Sequence, residues 1–473
     1  MKSVNKGSQT EMKSVNEGSQ TLLAEMLASS FDKKFDKLSA DPSYSYAASI
    51  YNVSQTLWEK NVEAYTPKLV SIGPLHHNGS KLHGMEAFKL RSTHKFLTRF
   101  GIGLHTIAKF AAKEESFVRG CYEGTVRLLP KQLAEVIVLD GIFIVELFLE
   151  TYFIQLREGE KIFGIPWMLN DLMHDMLLLE NQLPIRIMAS LLNFVDLSFM
   201  NGGTMVTIYD LAHKFFKNIG NTSKLPLTAR CYQARHFVEF LLFLHAPTEK
   251  HAASQDKGIK MQLASKKFEY DRTVGELVNA GVKLHRGDES CLFDVFFDKN
   301  TGVLTIPKLT VNESTETFFR NLVAFEHLGY YGYFSKNITS YVMLMDRFIN
   351  TSGDVDLLVK HGIIEKKFDK PVRSRKVADL FNNLHEGVLT EVNDFYFADL
   401  CGDLKDYNNG TYHQWKACWF RWRMMLRGKW DGWKKTLGRD YFKNPWSCLS
   451  VGAAVVLLIL TIIQTVCSIL QVL

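Results

Sequence analysis

Four residues carry side chains whose chemistry invites a catalytic reading: His76, His77, Glu86 and Asp140. An imidazole poised beside a carboxylate can move protons at neutral pH. Two adjacent histidines with a third nitrogen or oxygen ligand could also hold zinc. His76 and His77 sit in a stretch punctuated by Pro67, Gly73, Pro74 and Gly79, with His83 close behind. No Asp, Glu or Cys stands at a ligand spacing from them, so ordinary loop histidines are expected, with no metal and no cofactor. Asp140 interrupts the apolar run Val136-Ile-Val-Leu-Asp-Gly-Ile-Phe-Ile-Val-Glu-Leu-Phe148. A carboxylate in such a setting can be a tuned acid or base, but a structural hydrogen bond or cap is the favoured reading. The chain has no nucleophile elbow, P-loop, zincin helix or dinucleotide fingerprint.

A second constellation lies near the end. Trp415, Trp419, Trp422, Leu426, Trp430 and Trp433 fall at steps of 4, 3, 4, 4 and 3, which is one face of a helix. Lys416, Arg421, Arg423, Arg427, Lys434 and Lys435 lie off that stripe. Aromatic and basic residues so arranged suit a helix lying in a lipid headgroup layer. An amphipathic helix packed on the folded body would show the same stripe. Tyr441, Phe442 and Trp446 follow, where an aromatic belt would stand.

From Asn444 to Leu473 no side chain is charged. An apolar run exceeding roughly 20 residues predicts one C-terminal transmembrane helix. Nine basic residues against two acids between Lys416 and Lys443 place that flank on the cytoplasmic side. No apolar segment follows the first residues as a signal peptide would require. A single-pass tail anchor with a cytosolic body is therefore expected. Seven Asn-x-Ser/Thr sequons, at Asn52, Asn78, Asn221, Asn312, Asn337, Asn350 and Asn409, keep an extracellular body open. Which membrane is involved is not specified.

The net charge of +6 is matched by the excess of nine minus two at that flank, so no nucleic-acid surface is needed. Seven cysteines occur singly, with no Cys-x-x-Cys pair, which suits a reducing compartment. The first residues repeat, Met1-Lys-Ser-Val-Asn-Lys-Gly-Ser-Gln-Thr-Glu then Met12-Lys-Ser-Val-Asn-Glu-Gly-Ser-Gln-Thr-Leu. Without helical or strand period they read as a disordered tail over 1–44, with an amphipathic segment at 22–38. Residues 45–410 form the body, 411–446 the basic Trp-rich juxtamembrane helix and 447–473 the span. In the body, Leu69 to Ile72 reads as an extended segment between turns. Helices are predicted at 85–100, 133–153, 171–180, 185–194, 229–244, 315–325, 341–350, 354–360 and 377–384. Thr273-Val-Gly-Glu276 is a capping box, and Lys299-Asn-Thr-Gly302 a hairpin turn between strands 292–297 and 302–306, with a further strand at 282–285. The fold class expected is mainly α with a small antiparallel hairpin or sheet.

Successive blocks then carry a family resemblance. They are Tyr65-Thr-Pro-Lys-Leu-Val-Ser-Ile-Gly-Pro-Leu-His-His77, Met85-Glu-Ala-Phe-Lys89, Leu139-Asp-Gly141, Leu178-Leu-Glu-Asn-Gln-Leu-Pro184, Ala280-Gly-Val282 and Ile306-Pro-Lys-Leu309. Thr315-Glu-Thr-Phe-Phe-Arg-Asn-Leu-Val-Ala-Phe-Glu326, Ala378-Asp-Leu-Phe-Asn382 and Tyr441-Phe-Lys-Asn-Pro-Trp446 continue the series. In these the chain resembles the plant domain-of-unknown-function 247 family, also called uncharacterised protein family 0481. The resemblance implies a plant protein with a C-terminal transmembrane helix and no established enzymatic activity, and some members are linked to self-incompatibility. It brings no catalytic residues with it. The expected function is thus a membrane-tethered, non-enzymatic recognition or signalling protein that touches membrane lipid and binds an unidentified protein through its helical body. The alternative is a membrane-bound hydrolase or transferase using His76 or His77 with Glu86 or Asp140, since catalytic triads are defined by geometry. A purely structural scaffold would associate through the span, which has no Gly-x-x-x-Gly.

Overall fold

The computed structural model describes residues 48–409 except 78, 80–81, 158–160, 198–199, 201, 203, 248–270, 288–290, 329–335, 369–370 and 389–394. It also describes 25–34 and positions 453, 456, 457, 460, 461 and 464. The body is mainly helical with a few strands. Its first half is built around the helix Pro130–Tyr152. Here α1 is Glu86–Arg99, α2 Leu104–Gly120, α3 Pro130–Tyr152, α4 Pro166–Met176, α5 Ile185–Leu192 and α6 Ile208–Phe215. Pro130 opens α3 at a position where a missing N–H costs nothing. Ile137, Ile142, Phe143, Ile144, Val145, Leu147, Phe148 and Leu149 are all buried on it. Each such side chain contributes about 1.5–3 kcal/mol relative to exposure. α1, α2, α5 and α6 cover its faces. Gly141 lets α5 cross closely, because a Cβ there would stand 2.7 Å from the end of the Leu191 side chain and displace it.

The second half contains α7 Phe237–Leu244, α8 Val274–Asn279, α9 Thr315–Leu328, α10 Asn337–Phe348, α11 Ser352–Lys360, α12 Ser374–Leu384 and α13 Ala398–Asn409. Its strands are β1 Lys283–Gly287, β2 Phe296–Asp298, β3 Val303–Pro307, β4 Leu309–Val311 and β5 Ile364–Lys366. The hairpin forms as the turn chemistry requires. Asp298 accepts from Asn300 N and the Thr301 hydroxyl, and Gly302 takes φ +67°. The antiparallel expectation holds only for β2 with β3. β1 adds to the other side of β3 in parallel, and β4 pairs with β5 in parallel. The strand 292–297 shortens to its last two residues plus Asp298, and helix 229–244 to α7, preceded by a single 3-10 turn at Cys231–Gln233. The capping box at Thr273 and Glu276 is present.

The transmembrane expectation is overturned. Among the described residues no helix is long and apolar enough to cross a membrane. The long apolar helix α3 carries Lys131, Glu135, Asp140, Glu146 and Glu150, and such charge density is incompatible with hydrocarbon. The described positions of 447–473 are helical and exposed, with Thr461 Oγ1 bonded to Leu457 O at 2.8 Å. With no spanning helix among the described residues, the single-pass C-terminal anchor and the membrane localisation built on it are withdrawn. The proposed interface residues Trp415, Trp419, Trp422, Trp430, Trp433 and Trp446 lie outside the described residues, as do most of 1–44. Within the amphipathic segment expected at 22–38, residues 25–34 are helical and exposed.

Candidate functional site

Glu86 and Asp140 do come together, through a lysine that side-chain type alone did not single out. Lys89, one turn along α1 from Glu86, is fully buried. Its ammonium contacts Asp140 Oδ1, Glu86 Oε1 and the Ser71 carbonyl, each at 2.7 Å. Burial alone would lower the Lys89 ammonium, but the attraction and hydrogen bonds of Asp140 and Glu86 prevail and hold it above its ordinary range. The other Asp140 oxygen accepts the Gly73 N–H at 2.8 Å. Asp140 is therefore the structural partner expected, serving as one side of a buried ion pair and as an acceptor for backbone.

That backbone belongs to the segment 65–77, which forms no ladder with any strand. Its polar groups are met by side chains instead, as buried backbone demands. Asp175, at the end of α4, accepts the N–H groups of Lys68, Leu69 and Val70 at 2.8, 2.7 and 2.7 Å. Asn181 accepts from Ile72 N at 2.7 Å and donates to Val70 O at 3.1 Å. His174 bridges Asp175 Oδ1 at 2.9 Å and Glu63 O at 3.0 Å. Both of those contacts are hydrogen bonds together only when both ring nitrogens carry hydrogen. Asn321 of α9 joins in, donating to Ala64 O and accepting from Leu179 N, both at 2.9 Å. Gly73 turns the segment at φ +73°, where a Cβ would stand 2.6 Å from Gln182 O and from Tyr122 Oη. The motif blocks thus converge on one polar keystone.

The histidines do not join it. His76 Nε2 faces Glu180 Oε2 at 3.5 Å without a hydrogen bond, and Glu180 Oε1 instead accepts Val53 N at 2.7 Å. His77 Nδ1 is likewise buried without a partner. Among the described residues neither is bonded to Glu86 or Asp140, and no group of three His, Cys, Asp or Glu is placed to hold a metal ion. Burial pushes the Cys121 thiol up to about 11 and those of Cys291 and Cys401 to about 12, which removes their nucleophilic thiolates at neutral pH.

Sequence reasoning missed Lys89, Asp175 and Asn181. All three lie in or beside its own motif blocks, Met85-Glu-Ala-Phe-Lys89 and Leu178-Leu-Glu-Asn-Gln-Leu-Pro184, and polar side chains kept beside wholly apolar positions were the available signal. It also missed a cleft in the second half. There Arg230, His245, Phe293, Glu326, Asn337 and Ile338 line about 290 Å3 of space that includes open solvent. Burial drives His245 down to about 3, with His213 adding to the effect, and its Nδ1 has no partner.

A model of the plant protein family of unknown function DUF247 matches residues 50–460. The UPF0481 protein At3g47200 of Arabidopsis thaliana is 29% identical over 443 residues, covering 89% of this chain and 86% of that protein. The putative UPF0481 protein At3g02645 of the same plant is 22% identical over 504 residues, covering 88% and 89%. No solved structure matches.

Proposed function

This chain belongs to the plant DUF247 family, and from that premise we propose that it is a non-catalytic recognition or signalling protein that binds another protein through its helical body. Recognition of the self-incompatibility kind is a special case that rests on the family resemblance alone. One observation carries the reading: Lys89, Asp140 and Asn181, polar residues of the motif blocks, hold backbone rather than facing a cleft. Lys89 and Asp140 are 0% and 1% exposed, so no substrate reaches them in this conformation. The hydrolase or transferase alternative asks for convergent side chains open to substrate, and among the described residues neither His76 nor His77 is bonded to the two acids it would pair them with.

A surface suited to a protein partner adds support. Two ring contacts join α2 to α5 and to the turn that follows it. Arg186 lies over the Phe117 ring at 4.1 Å, and Phe110 meets Phe194 edge-on at 5.8 Å. Phe117 and Phe194 are each 37% exposed and Leu104 70%. Aromatic and arginine side chains are the types that carry interface energy. A photo-reactive residue in place of Phe117 in the full chain, expressed in plant tissue, should capture a discrete protein that the same residue at exposed Lys360 does not. Turnover of a model ester or peptide by the purified chain, lost in a folded D140N variant, would overturn the reading.

A further inference from the structure

Glu326, the last residue of the motif block 315–326, points from α9 into the start of α10. It is 3% exposed. Oε1 accepts Ile338 N–H, and Oε2 accepts the Thr339 N–H and hydroxyl, each at 2.8 Å. These are first-turn donors that a helix cannot satisfy internally. The titratable groups around it come from several elements. Arg230 and His245 flank α7 and line the same cleft, and the Arg230 guanidinium lies over the Phe243 ring at 4.7 Å. His327 adjoins Glu326 on α9 with Nε2 buried and unpartnered, and Lys336 precedes α10. Tyr341 is buried one turn into α10, and Cys291 bonds the His245 carbonyl at 3.6 Å.

We infer that the junction between Glu326 and the N-terminus of α10 is a proton-operated latch: the neutral carboxyl holds the first turn of α10 against α9, and ionisation loosens it. Burial sets the direction, against the three α10 donors, which on their own favour the ionised form. Inside, an ionised carboxylate has only neutral donors as partners, while outside it has water, and the adjoining cleft leads there. A protonated Oε2 can still bond Thr339, donating to the hydroxyl that otherwise donates to it. Burial pushes the latched carboxyl up to about 7 against the lowering effect of the α10 donors. A released carboxyl returns to the ordinary value near 4.5. The latched form therefore binds the proton more tightly, so raising pH must favour release. His245, kept neutral by burial, supplies no compensating charge.

Hydrogen exchange of the full chain, read in peptides over 336–345 and corrected for intrinsic rates, tests this. Between about pH 6 and about pH 8 wild-type protection should fall about tenfold, the linkage expected when only the released form is fully ionised. E326Q, neutral throughout, should show the same protection at both pH values, close to the wild-type value at the lower one. Wild-type protection that ignores pH overturns the latch. So does an E326Q variant that keeps the tenfold dependence, which would assign it to His327 or another neighbour. If E326Q folds poorly, infrared difference spectra in an E146Q background decide. A protonated-carboxyl band should vanish over the same interval, and its absence at the lower pH refutes the proposal.

Discussion

The segment 65–77 and the small sheets between 283 and 366 are both short lengths of backbone outside helices, and they are stabilised in opposite ways. In the sheets, donors meet acceptors on neighbouring strands, and the ends are closed by local devices. Thr273 and Glu276 cap α8, Asp298 shapes the hairpin turn, and Thr351 with Asp354 caps α11. The partners in those devices lie two to four residues apart. Residues 65–77 pair with no strand among the described residues, and their partners are carboxylates and a lysine on helices and the amide of Asn181 in the turn after α4. Asp175 reaches across 105 to 107 residues to its three amides. A local device that fails frays one element, whereas a distant side chain that fails leaves buried backbone and buried charge unmatched at once. The segment should therefore be the more fragile of the two.

Lys89→Met gives the harshest test of that difference. Removing one member of a buried ion pair leaves Asp140 uncompensated beside Gly73, at a cost of about 3–5 kcal/mol. Denaturant unfolding should show that loss, and Lys89→Met combined with Asp140→Leu should recover part of it. A loss below about 1 kcal/mol in the single variant would mean that water reaches the pair. Asp175→Asn comes next. Its amide keeps one acceptor oxygen where the carboxylate presented two to three N–H groups, so about 2–3 kcal/mol is expected, at the upper end for an unsatisfied buried group. A change in urea midpoint with an unchanged slope would mark it as pure destabilisation.

Thr273→Ala and Thr351→Ala probe the other side of the comparison. Each removes one cap and should cost about 1 kcal/mol, several-fold less than Lys89→Met. Equal losses in the two regions would break the contrast.

The same contrast explains what the sequence made legible. The capping box at Thr273 and Glu276, the hairpin turn and the apolar centre of α3 are short-range patterns, and each stands where the pattern put it. The keystone was visible only as motif blocks without a purpose, because adjacency in space between Gly73, Lys89, Asp140 and Asp175 has no periodicity to betray it. His76 and His77 attracted attention by type, yet Glu180, which faces one of them, spends its other oxygen on Val53. The parallel pairing of β1 with β3 was hidden for a related reason: strand order depends on how the intervening chain crosses, not on the strands themselves. The charge-free C-terminal run matched the length a span needs, but no helix among the described residues is long and apolar enough to cross a membrane.

The smallest net effect is expected from pH, and it arises from cancellation. Burial pushes Glu326 up to about 7 and Glu146 likewise, despite Arg99 beside Glu146 at 2.5 Å. A carboxyl raised from 4.5 in the fold gives stability that is fully present below 4.5 and is lost as pH rises through about 7. Burial pulls His236 down to about 4 and His245 to about 3. A histidine lowered from 6.5 gives stability that is present above 6.5 and is lost as pH falls through those values. Between 4.5 and 6.5 two carboxyls and two histidines oppose one another, and Asp171 and His327 are shifted in the same opposed senses. Wild-type stability should thus be nearly flat over that interval. E146Q/E326Q removes one side, so its stability should climb with pH there by up to about 2.7 kcal/mol per unit, the slope of two uncompensated protons. Chemical denaturation at about pH 5 and about pH 6.5 separates the cases. A wild-type slope equal to that of the double variant would show that neither carboxyl is held neutral, and a flat double variant would show that the buried histidines do not resist protonation.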